Sequence, residues 1–131
     1  MNAFFISNMG LHFSYQFYEL PLQYPFTISR YTVTIQKTVI VCISDGTYFG
    51  YGEATVNPYY HSTVKKLSES FFKAKAFIES SSILHPKDFW KMIFPVLKDD
   101  CFALSAIDIA YWDFYAKKHN KTVRSYWSDE N

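Results

Sequence analysis

The chain has 131 residues, 49% hydrophobic and 19% charged, which suffices for one packed domain and excludes wholesale disorder. Thirteen basic against twelve acidic residues leave a net charge of +1, which argues against a nucleic-acid-binding stripe, a polybasic membrane anchor and an acidic tail. No run of about 18 apolar residues is present, so no membrane span is predicted, and aromatic residues at 21% exceed the needs of a core this small.

In chain order, Met1-Asn2-Ala3-Phe4-Phe5-Ile6-Ser7 lacks the basic start of a signal peptide, so a cytoplasmic location is expected. Cys42 and Cys101 then read as buried, reduced thiols. Residues 11–18 alternate large apolar with smaller or polar side chains, a half-buried strand. It is expected to stop at Leu20-Pro21, because proline cannot donate to a sheet ladder, and to give way to an irregular stretch over 23–30. Residues 31–44 are rich in Val, Ile and Thr and form a second strand. Asp45-Gly46 predicts a two-residue type I′ hairpin, and residues 47–53 return as a third strand whose Gly50 and Gly52 signal a bulge or a close backbone approach.

The second half is predicted to be helical. Val64, Leu67, Phe71, Ala74 and Ile78 form one apolar stripe, with Lys65, Lys66, Glu69 and Lys73 on other faces. Pro86 opens a short second helix that Pro95 is expected to close. Asp99 or Asp100 caps a third helix over residues 102–119, lined by Phe102, Ala106, Ile109 or Ala110, and Phe114. Strands followed by helices make an α+β domain: a three-stranded antiparallel meander and about three helices.

The residues alone disclose little chemistry. His12, His61, His85 and His119 have no metal spacing with one another or with the cysteines, so no metal ligand is assigned. Gly50-Tyr51-Gly52 is too short for a phosphate loop and does not precede a helix. Asp108 and Asp113 are acids in an apolar helix, but five residues separate them by roughly 140°, so they cannot form one catalytic pair. Each is expected to cap or pair with a buried partner. No catalytic residue is assigned.

Three segments together resemble the N-terminal capping domain of the enolase superfamily, mandelate racemase/muconate-lactonizing branch. They are Leu20-Pro21-Leu22-Gln23-Tyr24-Pro25-Phe26-Thr27-Ile28-Ser29-Arg30; Phe49-Gly50-Tyr51-Gly52-Glu53-Ala54 with Asn57-Pro58-Tyr59-Tyr60; and Ala103-Leu104-Ser105-Ala106-Ile107-Asp108-Ile109-Ala110-Tyr111-Trp112-Asp113. The first two are most similar to dipeptide epimerases; muconate cycloisomerases and o-succinylbenzoate synthases share the third but fit the first two less well. Tyr60-His61-Ser62-Thr63 lacks the acidic residue usual after Pro-Tyr, and Tyr126-Trp127-Ser128-Asp129 stands where a glycine commonly follows the last helix.

The resemblance implies that residues 1–131 are a capping domain, and that the C-terminal β/α barrel, which needs roughly 200–250 residues, lies outside them. In such enzymes a lysine removes the α-proton of a residue within a dipeptide, Mg²⁺ stabilises the enolate, and a second lysine returns the proton from the other face. The lysines and the acidic magnesium ligands sit on the barrel. The cap closes two loops over the barrel mouth, excludes water and shapes the pocket. Carried over position by position, the first loop supplies Tyr24, Pro25, Phe26, Thr27 and Arg30, and the second supplies Pro58, Tyr59 and Tyr60. Phe26, Tyr59 and Tyr60 would be apolar walls. Arg30 matches a carboxylate-binding arginine of relatives selective for acidic side chains, against the alternative of a solvated strand-edge cation. The implied partners are the barrel and a dipeptide, not nucleic acid or membrane. The isolated domain is expected to self-associate through its aromatic surplus. The competing readings are a cap from another lactonizing-type enzyme and a free-standing α+β binding module.

Overall fold

The computed structural model describes residues 10–128, so the N-terminal Met1-to-Ser7 segment and Asp129 lie outside the described residues. Strands β1 (His12–Ile28), β2 (Tyr31–Ser44) and β3 (Phe49–Thr55) precede helices α1 (Val64–Ser80), α2 (Pro86–Leu97) and α3 (Cys101–Lys118), with short 3-10 turns at Pro58–Tyr60 and Val123–Tyr126. The strands form an antiparallel meander in the order β1-β2-β3, and the fold is α+β as predicted. The register sets Phe13 opposite Ile43, Tyr15 opposite Val41 and Phe17 opposite Val39, and β3 adds Gly50, Gly52 and Ala54 to the same face. On this face the helices pack Leu67, Phe71, Ala74 and Ile78 of α1, Phe89, Ile93 and Leu97 of α2, and most of one side of α3.

Several local expectations are corrected. β1 does not stop at Pro21 but runs on to Ile28. Lys37 directs its carbonyl to the Val56 amide, on the β3 side, so by strand alternation Pro21, opposite Ile35, turns its ring nitrogen to the outer edge, where no donor is needed. Residues 22–25 are then accommodated as a register shift opposite Thr34 alone, and pairing resumes at Phe26 opposite Val33. The turn after β2 is a four-residue connection, since Ser44 pairs with Phe49. Asp45 Oδ1 accepts from the Thr47 and Tyr48 amides at 2.9 and 2.8 Å, and Gly46 alone in that turn takes positive φ, 91°. Burial pulls the Asp45 carboxyl up, but the Lys118 ammonium and these two amides outweigh it and hold the group below its usual range.

Pro95 lies inside α2, which continues to Leu97 because Phe89, Ile93 and Leu97 keep its last turn packed. The cysteines are not both buried: Cys42 is half-buried and Cys101 is exposed at the first turn of α3. Val64, placed on the α1 stripe, is exposed, and so is Ile109 of α3. Of the two candidate caps for α3, Asp100 is the N-cap, accepting from the Ala103 amide and the Ser70 hydroxyl.

Both outer edges of the inner sheet are masked by a helix-borne ion pair. On β1, Lys75 donates to the Phe13 carbonyl at 2.7 Å while Glu79 accepts the Phe13 amide at 3.2 Å. On β3, Lys117 donates to the Phe49 carbonyl at 2.9 Å while Asp113 accepts the Tyr51 amide at 2.9 Å. Each pair is i,i+4 on its helix and stands in for the next strand, which blocks pairing with another chain.

Tyr111, fully buried and stacked on Phe89 at 3.7 Å, ties α3 to the α1–α2 connection. Its hydroxyl donates to the Leu84 carbonyl at 2.6 Å and accepts from the Leu84 amide at 2.9 Å, and burial pushes its pKa up to about 12. Tyr111→Phe keeps the stack but strands both Leu84 groups. It should cost about 1–3 kcal/mol, read as a lower urea midpoint at unchanged slope.

Candidate functional site

The sheet is longer on one side than its neighbours can cover. β2 has 14 residues and β3 has 7, and β3 pairs with residues 38–44 of β2 only. Residues 31–37 of β2 therefore have β1 on one side and, among the described residues, no strand on the other. A groove of about 330 Å³ runs along this uncovered edge, between residues 31–37 and Val56, Asn57 and Pro58. Because the Lys37 carbonyl bonds to the Val56 amide at 2.9 Å, the alternation of backbone groups turns the N–H and C=O of Ile35, Val33 and Tyr31 into the groove. Gln36 closes the inner end, its amide donating to the Val56 and Lys37 carbonyls at 3.1 and 2.7 Å.

The second wall is fixed by local chemistry. Asn57 Oδ1 accepts from the Tyr59 amide at 3.1 Å, Pro58 opens the 3-10 turn, and His61 ends it in the left-handed region at φ 58°. Ser62, buried, donates to the Thr55 carbonyl at 3.1 Å and pairs back to Asn57. The turn thereby holds Tyr59 and Tyr60 outward, their rings edge-on at 4.9 Å, with Tyr60 also against Phe102.

Of the residues named from sequence, Pro58 lines this groove. Tyr24 and Pro25 lie in the register shift of β1, Phe26 pairs with Val33, and Thr27 pairs with Thr32 through a 3.0 Å hydroxyl contact. Phe26 thus shares a strand pair with a groove residue without lining the groove itself. Arg30 stands with Ser29 in the turn at the hairpin tip, exposed, and among the described residues it has no ion-pair partner within 4.0 Å. The sequence reading missed the β2 edge: Tyr31, Val33, Ile35 and Gln36. The signal available was the length mismatch between the second and third strands.

Asp113 is absorbed by the β3 edge and Lys117, close to the expected pairing. Asp108 departs from it: among the described residues its carboxylate has no hydrogen-bonding or ionic partner, and burial alone raises its pKa. Among the described residues no three His, Cys, Asp or Glu side chains gather as a metal centre, so these residues do not fit a magnesium ion. No helix among them is long and apolar enough to cross a membrane.

A family model described as the mandelate racemase / muconate lactonizing enzyme N-terminal domain matches residues 15–125. The L-Ala-D/L-amino acid epimerase of Flavobacterium johnsoniae is 41% identical over 111 residues, covering 85% of this chain and 33% of that protein. The substrate-liganded L-Ala-D/L-Glu epimerase from Bacillus subtilis superposes with a TM-score of 0.75 at 21% identity, over 84% of this chain and 32% of that one. The dipeptide epimerase from Methylococcus capsulatus, complexed with Mg and L-Arg-D-Lys, gives 0.75 at 17% identity, over 85% and 32%. At these identities the two structures share the fold. The chain spans about a third of the length of the relatives it matches.

Proposed function

Because the chain belongs to the N-terminal domain family of the mandelate racemase and muconate lactonizing enzymes, we propose that it is the capping domain of a dipeptide epimerase. The observation that carries this reading is the hairpin half over residues 21–37, which projects beyond the helices together with the Pro58–Tyr60 turn. Both edges of the inner sheet are masked by ion pairs, yet this outer part is left with an open edge and exposed Tyr24, Phe26, Ile35, Tyr59 and Tyr60. Such a surface suits a lid, where apolar walls and unpaired backbone groups close over a small peptide and exclude water.

In this reading the cap moves no proton. Phe26, Tyr59 and Tyr60 wall the pocket, Arg30 at the tip selects the side chain of the dipeptide, and the open edge of β2 faces the bound molecule. Magnesium and the acid/base groups are held by the second domain; among the described residues of this chain no three His, Cys, Asp or Glu side chains gather to hold a metal.

The test is a graft in which this chain replaces the matched third of the Flavobacterium johnsoniae enzyme. Exchange of the dipeptide Cα proton in deuterated water, followed by NMR, should be present in the graft and absent from the isolated chain with or without Mg²⁺. Exchange by the isolated chain above a buffer control, or a folded graft without dipeptide exchange, would overturn the reading.

A further inference from the structure

One side chain joins the two segments that project from the sheet. β3 stops pairing at Thr55, opposite Thr38, and the chain leaves for the Pro58–Tyr60 turn. The projecting half of the first hairpin begins just beyond the pair formed by Leu20 and Gln36. The necks of both segments therefore meet at Gln36, Lys37 and Val56. Two links hold them there. The Val56 amide donates to the Lys37 carbonyl at 2.9 Å, and Gln36 Nε2 donates to the Val56 carbonyl at 3.1 Å. Among the described residues, no other hydrogen bond connects residues 19–37 with residues 55–62.

The donor is defined by what it faces. Gln36 Nε2 stands between two carbonyl oxygens, that of Val56 and that of Lys37 at 2.7 Å, and only the NH₂ end of the amide satisfies both. Beyond Val56 the turn is closed on itself. The Asn57 carbonyl accepts from the Tyr60 and Ser62 amides, and the Asn57 amide donates to the Ser62 carbonyl. The turn is thus one unit whose distance from β2 is set at Val56. Because Val56 faces residues 31–37 across the groove, that distance is also the groove's width.

We propose that Gln36 is a positioning residue: its amide holds the Pro58–Tyr60 turn against β2 and so sets the width of the groove and the spacing between Phe26 and the Tyr59–Tyr60 pair. The proposal rests on the reading of these two segments as a lid and names the group that keeps its halves in register. Gln36 moves no proton and acts through the walls that it aligns.

Two substitutions separate the donor from its packing. Gln36→Met removes the donor at similar length, and Gln36→Lys restores one on a flexible stem. In the isolated chain, hydrogen exchange followed by NMR should show the Val56 amide exchanging about tenfold faster in Gln36→Met and near its original rate in Gln36→Lys. The Leu104 amide of α3, bonded to the Asp100 carbonyl, should keep its rate in both. In the graft, Gln36→Met should raise KM for the dipeptide about three- to tenfold, the factor that one lost hydrogen bond supplies, with kcat held within about twofold. Gln36→Lys should recover most of that rise. A merely structural role would instead reduce the folded fraction, so that kcat fell at constant KM and Leu104 exchanged faster. That pattern, an unchanged Val56 amide, or equal behaviour of Gln36→Lys and Gln36→Met would overturn the proposal. A graft that exchanges no dipeptide proton overturns the proposed function, and the amide rates of the isolated chain then decide the role of Gln36.

Discussion

Gly52→Ala should destabilise the chain by about 3 kcal/mol or more, whereas Gly10→Ala should be close to neutral. A Cβ at Gly52 would overlap the Ala106 carbonyl oxygen, and one at Gly50 would overlap the backbone of Ala110 and Phe114. These obstacles are helix backbone, which cannot swing aside as a long side chain can. α3 would have to lift from β3, and with it Leu104, Ile107, Tyr111 and Phe114 would lose their packing. Overpacking in a core commonly costs about 1–3 kcal/mol, and with backbone on both sides the upper end or beyond is expected, against a total stability of roughly 5–15 kcal/mol for a domain. At Gly10 the added Cβ would stand 3.5 Å from the Glu79 carbonyl oxygen, an ordinary contact. Urea midpoints of the two variants check the difference. Equal midpoints would mean that β3 and α3 can separate at little cost.

The same contact explains what was legible beforehand. Gly50 and Gly52 in a strand, with Ala103, Ala106 and Ala110 in a later helix, are small residues on both partners of one close approach, and each can be read without knowing the other. The apolar stripe of α1 and the alternation of residues 11–18 were equally plain, because each is a local pattern repeated several times. What failed were single-residue arguments. Pro21 ends a central strand but not an edge strand, and whether β1 is an edge depends on where β3 pairs. Pro95 breaks a helix only where the last turn has nothing to hold it, and Leu97 holds it. Asp45-Gly46 suits a two-residue turn until the Asp45 side chain caps two amides and favours a longer one. The groove was hidden for a related reason: its donors and acceptors are backbone groups of Val33 and Ile35, which side-chain motifs do not mark.

Arg30→Ala should alter selectivity by about 10²-fold or more in the grafted enzyme, if that enzyme prefers dipeptides with an acidic side chain. Arg30 stands at the hairpin tip, exposed, and among the described residues no carboxylate lies within ion-pairing distance, so its guanidinium is available to an outside anion. A planar guanidinium meets a carboxylate through two parallel hydrogen bonds, and losing such a contact inside a closed pocket costs about 2–5 kcal/mol. An apolar dipeptide makes no such contact and should be turned over nearly as before. Arg30→Lys should recover only part of the loss, because an ammonium is a point charge and cannot reproduce the fork. The measurement is kcat/KM for one acidic and one apolar dipeptide in each variant. A similar, small loss on both would make Arg30 a solvated cation at the end of a strand. A preference for apolar dipeptides in the unsubstituted graft would instead move selectivity to the aromatic walls, where Phe26, Tyr59 and Tyr60 are the next side chains to replace.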